Sequence, residues 1–61
     1  MKYSVNQLAE RHHVTVEELA VKCGIAPDHL ARVASGKTRM TAYDLYLLSA
    51  GTGISADDIQ S

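Results

Sequence analysis

The chain has 61 residues, a formal net charge of −1 and one cysteine. This length supports one domain, expected here over residues 1–61, and the lone cysteine excludes both an internal disulfide and a zinc site built from thiolates. The apolar stretches are too short to cross a membrane and the N-terminus has no signal-peptide core, which predicts a cytoplasmic protein with no membrane partner.

Capping signals predict where helices begin. A Ser or Thr followed three residues later by Gln, Glu or Asp can satisfy backbone N–H groups at a helix start. Four such pairs occur, at Ser4–Gln7, Thr15–Glu18, Thr41–Asp44 and Ser55–Asp58. Pro27 suits the first turn of a further helix, because the N–H that proline lacks has no helical partner there.

Glycines and loop-forming residues predict where the helices end. The expected ends are residues 12–14, Gly24, Ser35–Gly36 and, for the fourth helix, about Ala50 before Gly51–Gly53. No stretch shows the alternation of a strand. We therefore predict an all-α fold, a compact bundle of five short helices.

The segment from Val16 to Ser35 has the pattern of a helix-turn-helix. Two helices that cross at a fixed angle need a small residue at the crossing and a flexible one in the turn, and Ala20 and Gly24 provide these. Apolar side chains are also needed where the helices lock together. These positions hold Leu19, Cys23, Ile25, Leu30 and Val33.

The stretch TVEELAVKCGIAPDHLARVASGK resembles the helix-turn-helix of the lambda-repressor-like family, which includes Cro and the xenobiotic-response-element type regulators. The resemblance covers residues 5–59. It implies a Cro- or repressor-like regulator, of phage or mobile-element origin, that binds double-stranded operator DNA as a homodimer through its third helix. We expect no enzymatic activity, no catalytic residue, no metal and no cofactor.

The sequence departs from the family's pattern at positions outside the third helix's reading face as well as on it. Val16 stands where the family often has a Gln that reaches a phosphate. Ala9 and Ala34 stand where the family commonly pairs an Arg with a Glu. Replacing both partners by small apolar groups can be close to neutral, whereas one unpaired buried charge costs roughly 3–5 kcal/mol. The double replacement is therefore compatible with the same fold.

The third helix and the following loop hold the candidate DNA contacts. Arg32 is the best candidate for a bidentate contact to guanine, with Asp28 and His29 as further base readers. Lys37 and Arg39 lie where the loop should pass the phosphates. Neutral backbone contacts are expected from Thr15, Ser35 and Thr38. The simpler alternatives are solvated surface side chains for Arg32 and His29, and helix-start roles for Asp28 and Thr15.

The fourth predicted helix is apolar nearly all round, so a short chain cannot bury all of it. Its expected inward face includes Ala42, Leu45 and Leu48. The alternative to a protein interface on the other faces is cover by the C-terminal turn. The candidate interface residues are Tyr43, Tyr46, Leu47 and Ile59.

The charge distribution leaves a second function open. Residues 26–39 carry three cations against one acid, whereas residues 40–61 carry only acids, so DNA binding should be weak and sensitive to salt. Apolar residues also occupy reader positions, namely Ala26, Pro27 and Ala31. The alternative hypothesis is a protein-interaction module of the same fold, an antirepressor, antitoxin-like domain or adaptor, with a different protein as its partner.

Overall fold

This computed structural model describes residues 2–60, which contain four α-helices and a closing 3-10 turn. The elements are α1 (Val5–Arg11), α2 (Val16–Cys23), α3 (Pro27–Ala34), α4 (Ala42–Thr52) and the 3-10 turn Ala56–Asp58. Within residues 2–60 there is no β-strand, and one isolated parallel bridge joins Tyr3 to Ile59. The predicted all-α fold of five short helical elements is confirmed.

Reciprocal side-chain caps begin α1, α2 and α4, as the capping pairs predict. The pairs are Ser4 with Gln7, Thr15 with Glu18 and Thr41 with Asp44. In each pair the first side chain accepts from the later backbone N–H, and the later side chain accepts from the earlier one. Helix α3 has no side-chain cap and begins with Pro27.

Helices α1, α2 and α3 end in the same backbone motif. Val14 N donates to Ala9 O, Ile25 N to Ala20 O, and Lys37 N to Arg32 O. These six-to-one bonds define Schellman motifs, and the residues at positive φ are His13 (57°), Gly24 (76°) and Gly36 (81°). His13 carries a side chain in this region, so the end of α1 is more strained than the other two.

Helix α4 extends two residues beyond the predicted end, because Gly51 and Thr52 are helical. Gly51 lies against α2, where an added Cβ would be 2.5 Å from Cys23 Sγ and 3.1 Å from Cys23 Cα. A glycine is therefore required here by the close crossing of two helices and does not end α4. Gly53, with φ 75°, ends it instead.

The core lies between the four helices and the C-terminal segment. Its fully buried large side chains are Leu8, Leu19, Leu30, Leu48 and Ile59. Ala20 is also fully buried at the predicted crossing of α2 and α3. Four of the five predicted locking residues are buried, and Val33 is partly buried against the same core.

The positions of the absent ion pair are filled by small residues. Ala9 is buried and Ala34 is half-buried. Asn6 Nδ2 donates to Ala34 O at 3.3 Å and so joins α1 to the end of α3. Packing and one hydrogen bond thus connect the two helices at these positions.

The first turn of α4 differs from its predicted orientation. Ala42 is exposed, so it does not belong to the inward face, whereas Asp44 is buried. Leu48 is buried and Leu45 is half-buried, as predicted. No helix within residues 2–60 combines the length and the apolar character needed to span a membrane.

Candidate nucleic-acid interface

The connection between α2 and α3 presents one face of α3 to solvent. Gly24 turns the chain and Ile25 is buried directly after it, which anchors the turn to the core. On α3, Leu30 is buried, whereas Asp28 and Arg32 are exposed. Residues four apart share a helix face, so Asp28 and Arg32 lie together on the outer side.

The exposed cations on α3 and in the loop after it have no acidic partner among residues 2–60. Arg32, Lys37 and Arg39 are exposed, and within residues 2–60 none has a carboxylate oxygen within 4.0 Å. Their charges are therefore available to an anion outside the chain. Among the acids that follow, Asp44 is buried, and Asp57 and Asp58 lie on the 3-10 turn.

The loop of residues 35–41 begins with a fixed geometry. Gly36 at positive φ and the bond from Lys37 N to Arg32 O place the start of the loop against the last turn of α3. Ser35 and Thr38 are exposed. The Ser35 hydroxyl donates to Arg32 O at 3.1 Å, so its proton is used within the chain.

Thr15 has a structural role at the start of α2. Its Oγ1 accepts from Glu18 N at 3.1 Å, and its backbone N–H donates to Glu18 Oε1 at 2.9 Å. The hydrogen bond from the Thr15 backbone, and to a lesser extent the one from its side chain, hold the pKa of Glu18 below its ordinary value. The Thr15 hydroxyl and backbone N–H therefore both have partners within α2. The contact of Thr15 with DNA stays a prediction.

His29 has a partner in α4. Its Nε2 lies 2.7 Å from Asp44 Oδ2, with the two side chains 32% and 8% exposed. The carboxylate also accepts from Thr41 N at 3.0 Å. Burial raises the pKa of Asp44, but the hydrogen bonds from His29 and Thr41 outweigh burial and hold this pKa below its ordinary value. Base reading by His29 stays a prediction, limited to the part of the ring that remains accessible.

The role of Asp44 as a buried partner is missing from the sequence prediction. The pattern Thr41–Asp44 predicts a capping pair, and it is one. A further signal is present, because Asp44 lies four residues before Leu48, on the same face of α4 as this core residue. An acid on the core face requires a hydrogen-bond donor from another element, and the half-buried His29 provides it.

The candidate protein interface on α4 is smaller than predicted. Tyr43 and Tyr46 are 68% and 66% exposed, so the C-terminal turn does not cover them. Leu47 is half-buried against the core. Ile59 is 2% exposed and lies in the core beside the bridge to Tyr3, so it is not available to a partner. The exposed surface is therefore centred on the two tyrosines.

The described residues offer no cluster of metal ligands. Within residues 2–60, no group of three or more His, Cys, Asp or Glu side chains could hold an ion. Cys23 is a buried free thiol, and burial raises the pKa of this thiol above its ordinary value. A raised pKa disfavours the reactive thiolate.

Comparison with known proteins identifies one family. The family model described as helix-turn-helix matches residues 5–59. This span begins at the first residue of α1 and ends at the buried Ile59, so it contains all the helical elements described above. Searches of curated proteins and of solved structures gave no match.

Proposed function

Because the chain belongs to the lambda-repressor-like helix-turn-helix family of DNA-binding regulators, we propose that it is a Cro- or repressor-like regulator of transcription that binds operator DNA as a homodimer. Each subunit places α3 in the major groove, with half-sites about one helical turn apart. The observation that carries the proposal is the set of exposed cations, Arg32, Lys37 and Arg39, without acidic partners in residues 2–60. A cytoplasmic location and a phage or mobile-element origin belong to the same proposal.

The outer face of α3 reads the bases. Arg32 presents a planar pair of donors that matches guanine O6 and N7. Asp28, one turn earlier on the same face, accepts from a cytosine amino group. A good bidentate contact discriminates against the wrong base by about 1–3 kcal/mol.

The loop after α3 contacts the DNA backbone. Lys37 and Arg39 neutralise phosphates, and Thr38 adds a neutral contact beside them. Ser35 adds another when its hydroxyl proton turns from Arg32 O to a phosphate. Each neutralised phosphate contributes about −0.9 to the slope of log K against log salt, so Lys37 and Arg39 together produce a slope of about −2 per subunit. A weak but clearly salt-dependent affinity is consistent with the net charge of −1.

The exposed aromatic surface of α4 forms the homodimer. Tyr43 and Tyr46 lie three residues apart on one side of the helix, with the partly buried Leu47 beside them. Tyrosine contributes a large apolar ring and a hydroxyl, which suits an interface that is wet at its rim. Pairing two copies here gives a symmetric dimer, as a palindromic operator requires.

A titration of labelled genomic DNA fragments, followed by fluorescence anisotropy at low and moderate salt, tests the proposal. We expect affinity that depends on the fragment and falls with salt. Arg32→Ala should reduce the preference among fragments, whereas Lys22→Ala removes an equal charge beside His12 and should leave that preference intact. Equal, negligible binding of all fragments at low salt would refute the proposal.

A second candidate function is a protein-interaction module of the same fold. The observation in its favour is that exposed positions at the start of α3 hold Ala26 and Pro27, which present no donor or acceptor side chain to DNA. The tyrosine surface on α4 would then bind a different protein. Two results together would favour this candidate. No DNA fragment would bind, and the protein would form a purified one-to-one complex with a different protein that depends on Tyr43 and Tyr46.

A further inference from the structure

One carboxylate connects the two helices that flank the basic loop of residues 35–41. Asp44 Oδ2 lies 2.7 Å from His29 Nε2 and 3.0 Å from Thr41 N. His29 belongs to α3, from which the loop departs, and Thr41 is the residue at which it reaches α4. The same oxygen therefore binds a group on each side of the loop.

The connection is directional and charge-assisted. An ionised Asp44 can only accept hydrogen bonds, so the histidine ring donates through its Nε2–H. Hydrogen bonds to an ionised group are shorter and roughly twice as strong as neutral ones. The burial of Asp44 excludes water that would otherwise compete for the same oxygen.

The middle of the loop has no hydrogen bonds of its own. Within residues 2–60, bonds hold Ser35, Gly36 and Lys37 at one end and Thr41 at the other, whereas residues 38–40 make none. Met40 packs partly against the core. The path of this segment therefore depends on how its two ends are placed relative to each other.

We propose that Asp44 is a positioning residue for phosphate binding, which holds α3 against the start of α4 so that the loop between them presents Lys37 and Arg39 beside α3. The inference rests on the proposed function, because it concerns the DNA contacts of that same loop. Asp44 acts through His29 and Thr41 and does not touch the DNA. The contact between His29 and Asp44 is the part of this arrangement that joins α3 to α4.

The effect of Asp44→Asn on DNA affinity distinguishes a positioning role from simple charge repulsion, because the two predict changes in opposite directions. Asp44 is an acid near a cationic surface, so removal of its charge should strengthen binding to a polyanion if the charge were all that mattered. A positioning role predicts that Asp44→Asn weakens binding, because Lys37 and Arg39 no longer meet phosphates together. Asp57→Asn provides the matched control, since it removes an equal charge from the exposed 3-10 turn.

The experiment measures DNA affinity against salt for the wild type, Asp44→Asn and Asp57→Asn at a temperature where circular dichroism shows each protein fully folded. For Asp44→Asn we expect affinity to fall by about threefold or more and the salt slope to shrink by about 0.9 for each phosphate that is no longer neutralised. For Asp57→Asn we expect an unchanged slope. A purely structural role in stability would leave the slope of the folded variant unaltered.

A second pair of variants covers the case in which Asp44→Asn does not fold. His29→Ala removes the connection to α3 but leaves the Thr41–Asp44 cap, and His29→Gln restores a side-chain donor. We expect His29→Ala to reduce the salt slope and His29→Gln to recover part of it. Hydrogen exchange without DNA should show faster exchange at residues 38–41 in His29→Ala than in His29→Gln.

The outcomes separate this inference from the function on which it rests. If the wild type binds no fragment, the proposed function fails and the positioning role fails with it. If the wild type binds and Asp44→Asn and His29→Ala keep its affinity, slope and loop exchange, only the positioning role is overturned. Tighter binding by folded Asp44→Asn would also overturn it, in favour of simple charge repulsion.

Discussion

Gly51 of α4 and Cys23 of α2 meet so closely that a Cβ at residue 51 would lie 2.5 Å from the cysteine sulfur. The cysteine backbone is also near, with its Cα 3.1 Å from the same point. The separation of these two helices is therefore set by the absence of a side chain at residue 51. The buried thiol fills the remaining space as a small hydrophobic group.

Gly51→Ala should destabilise the protein. Helix propensity alone favours alanine over glycine by about 1 kcal/mol, but the clash with Cys23 should outweigh it and leave a net loss of about 1–3 kcal/mol. Urea unfolding followed by circular dichroism measures the change. Adding Cys23→Ala should recover part of the loss, because it removes the sulfur but not the nearby backbone.

Gly53→Ala is the matched control for this coupling. Gly53 has φ 75° and no atom within 4 Å of an added Cβ, so its substitution costs stability through backbone strain alone. Cys23→Ala should therefore not rescue Gly53→Ala. Equal rescue of both glycine variants would contradict the steric explanation.

His13→Gly should stabilise the protein. His13 has φ 57° at the end of α1, where a residue with a side chain costs about 1–2 kcal/mol and glycine costs almost nothing. The extra freedom of glycine in the unfolded chain offsets part of this gain, which leaves about 0.5–1 kcal/mol. Thermal unfolding checks the result. The neighbouring His12→Gly, at φ −92°, should give no gain.

The contribution of Asp44 to stability should disappear in acid. The pKa of Asp44 is lower in the folded state than in the unfolded chain, so its contribution is present above the unfolded value of about 3.9 and is lost as pH falls through the folded pKa. The difference in unfolding free energy between the wild type and Asp44→Asn should therefore narrow below about pH 4. Urea unfolding from pH 7 to pH 2 measures it. A difference that widens in acid would contradict this assignment.

Arg32 and Lys37 should differ in what their removal does to DNA binding. Arg32→Ala should cost about 1–3 kcal/mol of binding free energy and relax the preference at one base pair, because it removes the side chain proposed to read a base. Lys37→Ala should weaken binding to all sequences alike and reduce the salt slope by about 1, because it leaves only a phosphate without its cation. Competition titrations with operators varied at single positions distinguish the two patterns. Identical profiles for both variants would count against the assigned roles.

Tyr46→Glu should separate the proposed dimer. Tyr46 is 66% exposed, so a carboxylate there is tolerated in the monomer but opposes the copy across a symmetric interface. Light scattering over a concentration series measures the change in mass. Val21→Glu introduces an equal charge at an exposed residue of α2 and should leave the mass unaltered. A wild type that stays monomeric at high concentration would reject this dimer.

Local chemistry explains which parts of the fold the sequence could predict. The capping pairs and Gly24 act within a few residues, and each has its expected role. The prediction that α4 ends before Gly51 is wrong, because Gly51 is helical and packs against Cys23. In a sequence, glycine is typical both of a helix end and of a close contact between helices. Only the packing of α4 on α2 decides between these two roles.

The candidate site divides in a similar way. The exposure of Arg32 could be predicted, because it lies on a different face of α3 from the core residue Leu30, and Lys37 and Arg39 are exposed in the loop that follows. The hydrogen bond between His29 and Asp44 joins residues from different helices, so neither local sequence predicts it. Ile59 shows the same limit, since its burial depends on the pairing of two segments that are far apart in the sequence.

The bridge between Tyr3 and Ile59 also determines when the domain can complete its folding during synthesis. Tyr3 N donates to Asp58 O at 2.7 Å and Gln60 N donates to Tyr3 O at 2.8 Å, so the first described residues bind the last described ones. During synthesis these bonds must wait until residues 58–60 have left the ribosome. Until then the core lacks Ile59, which is 2% exposed in the complete fold. Completion of this domain is therefore a late event, triggered by the emergence of these residues.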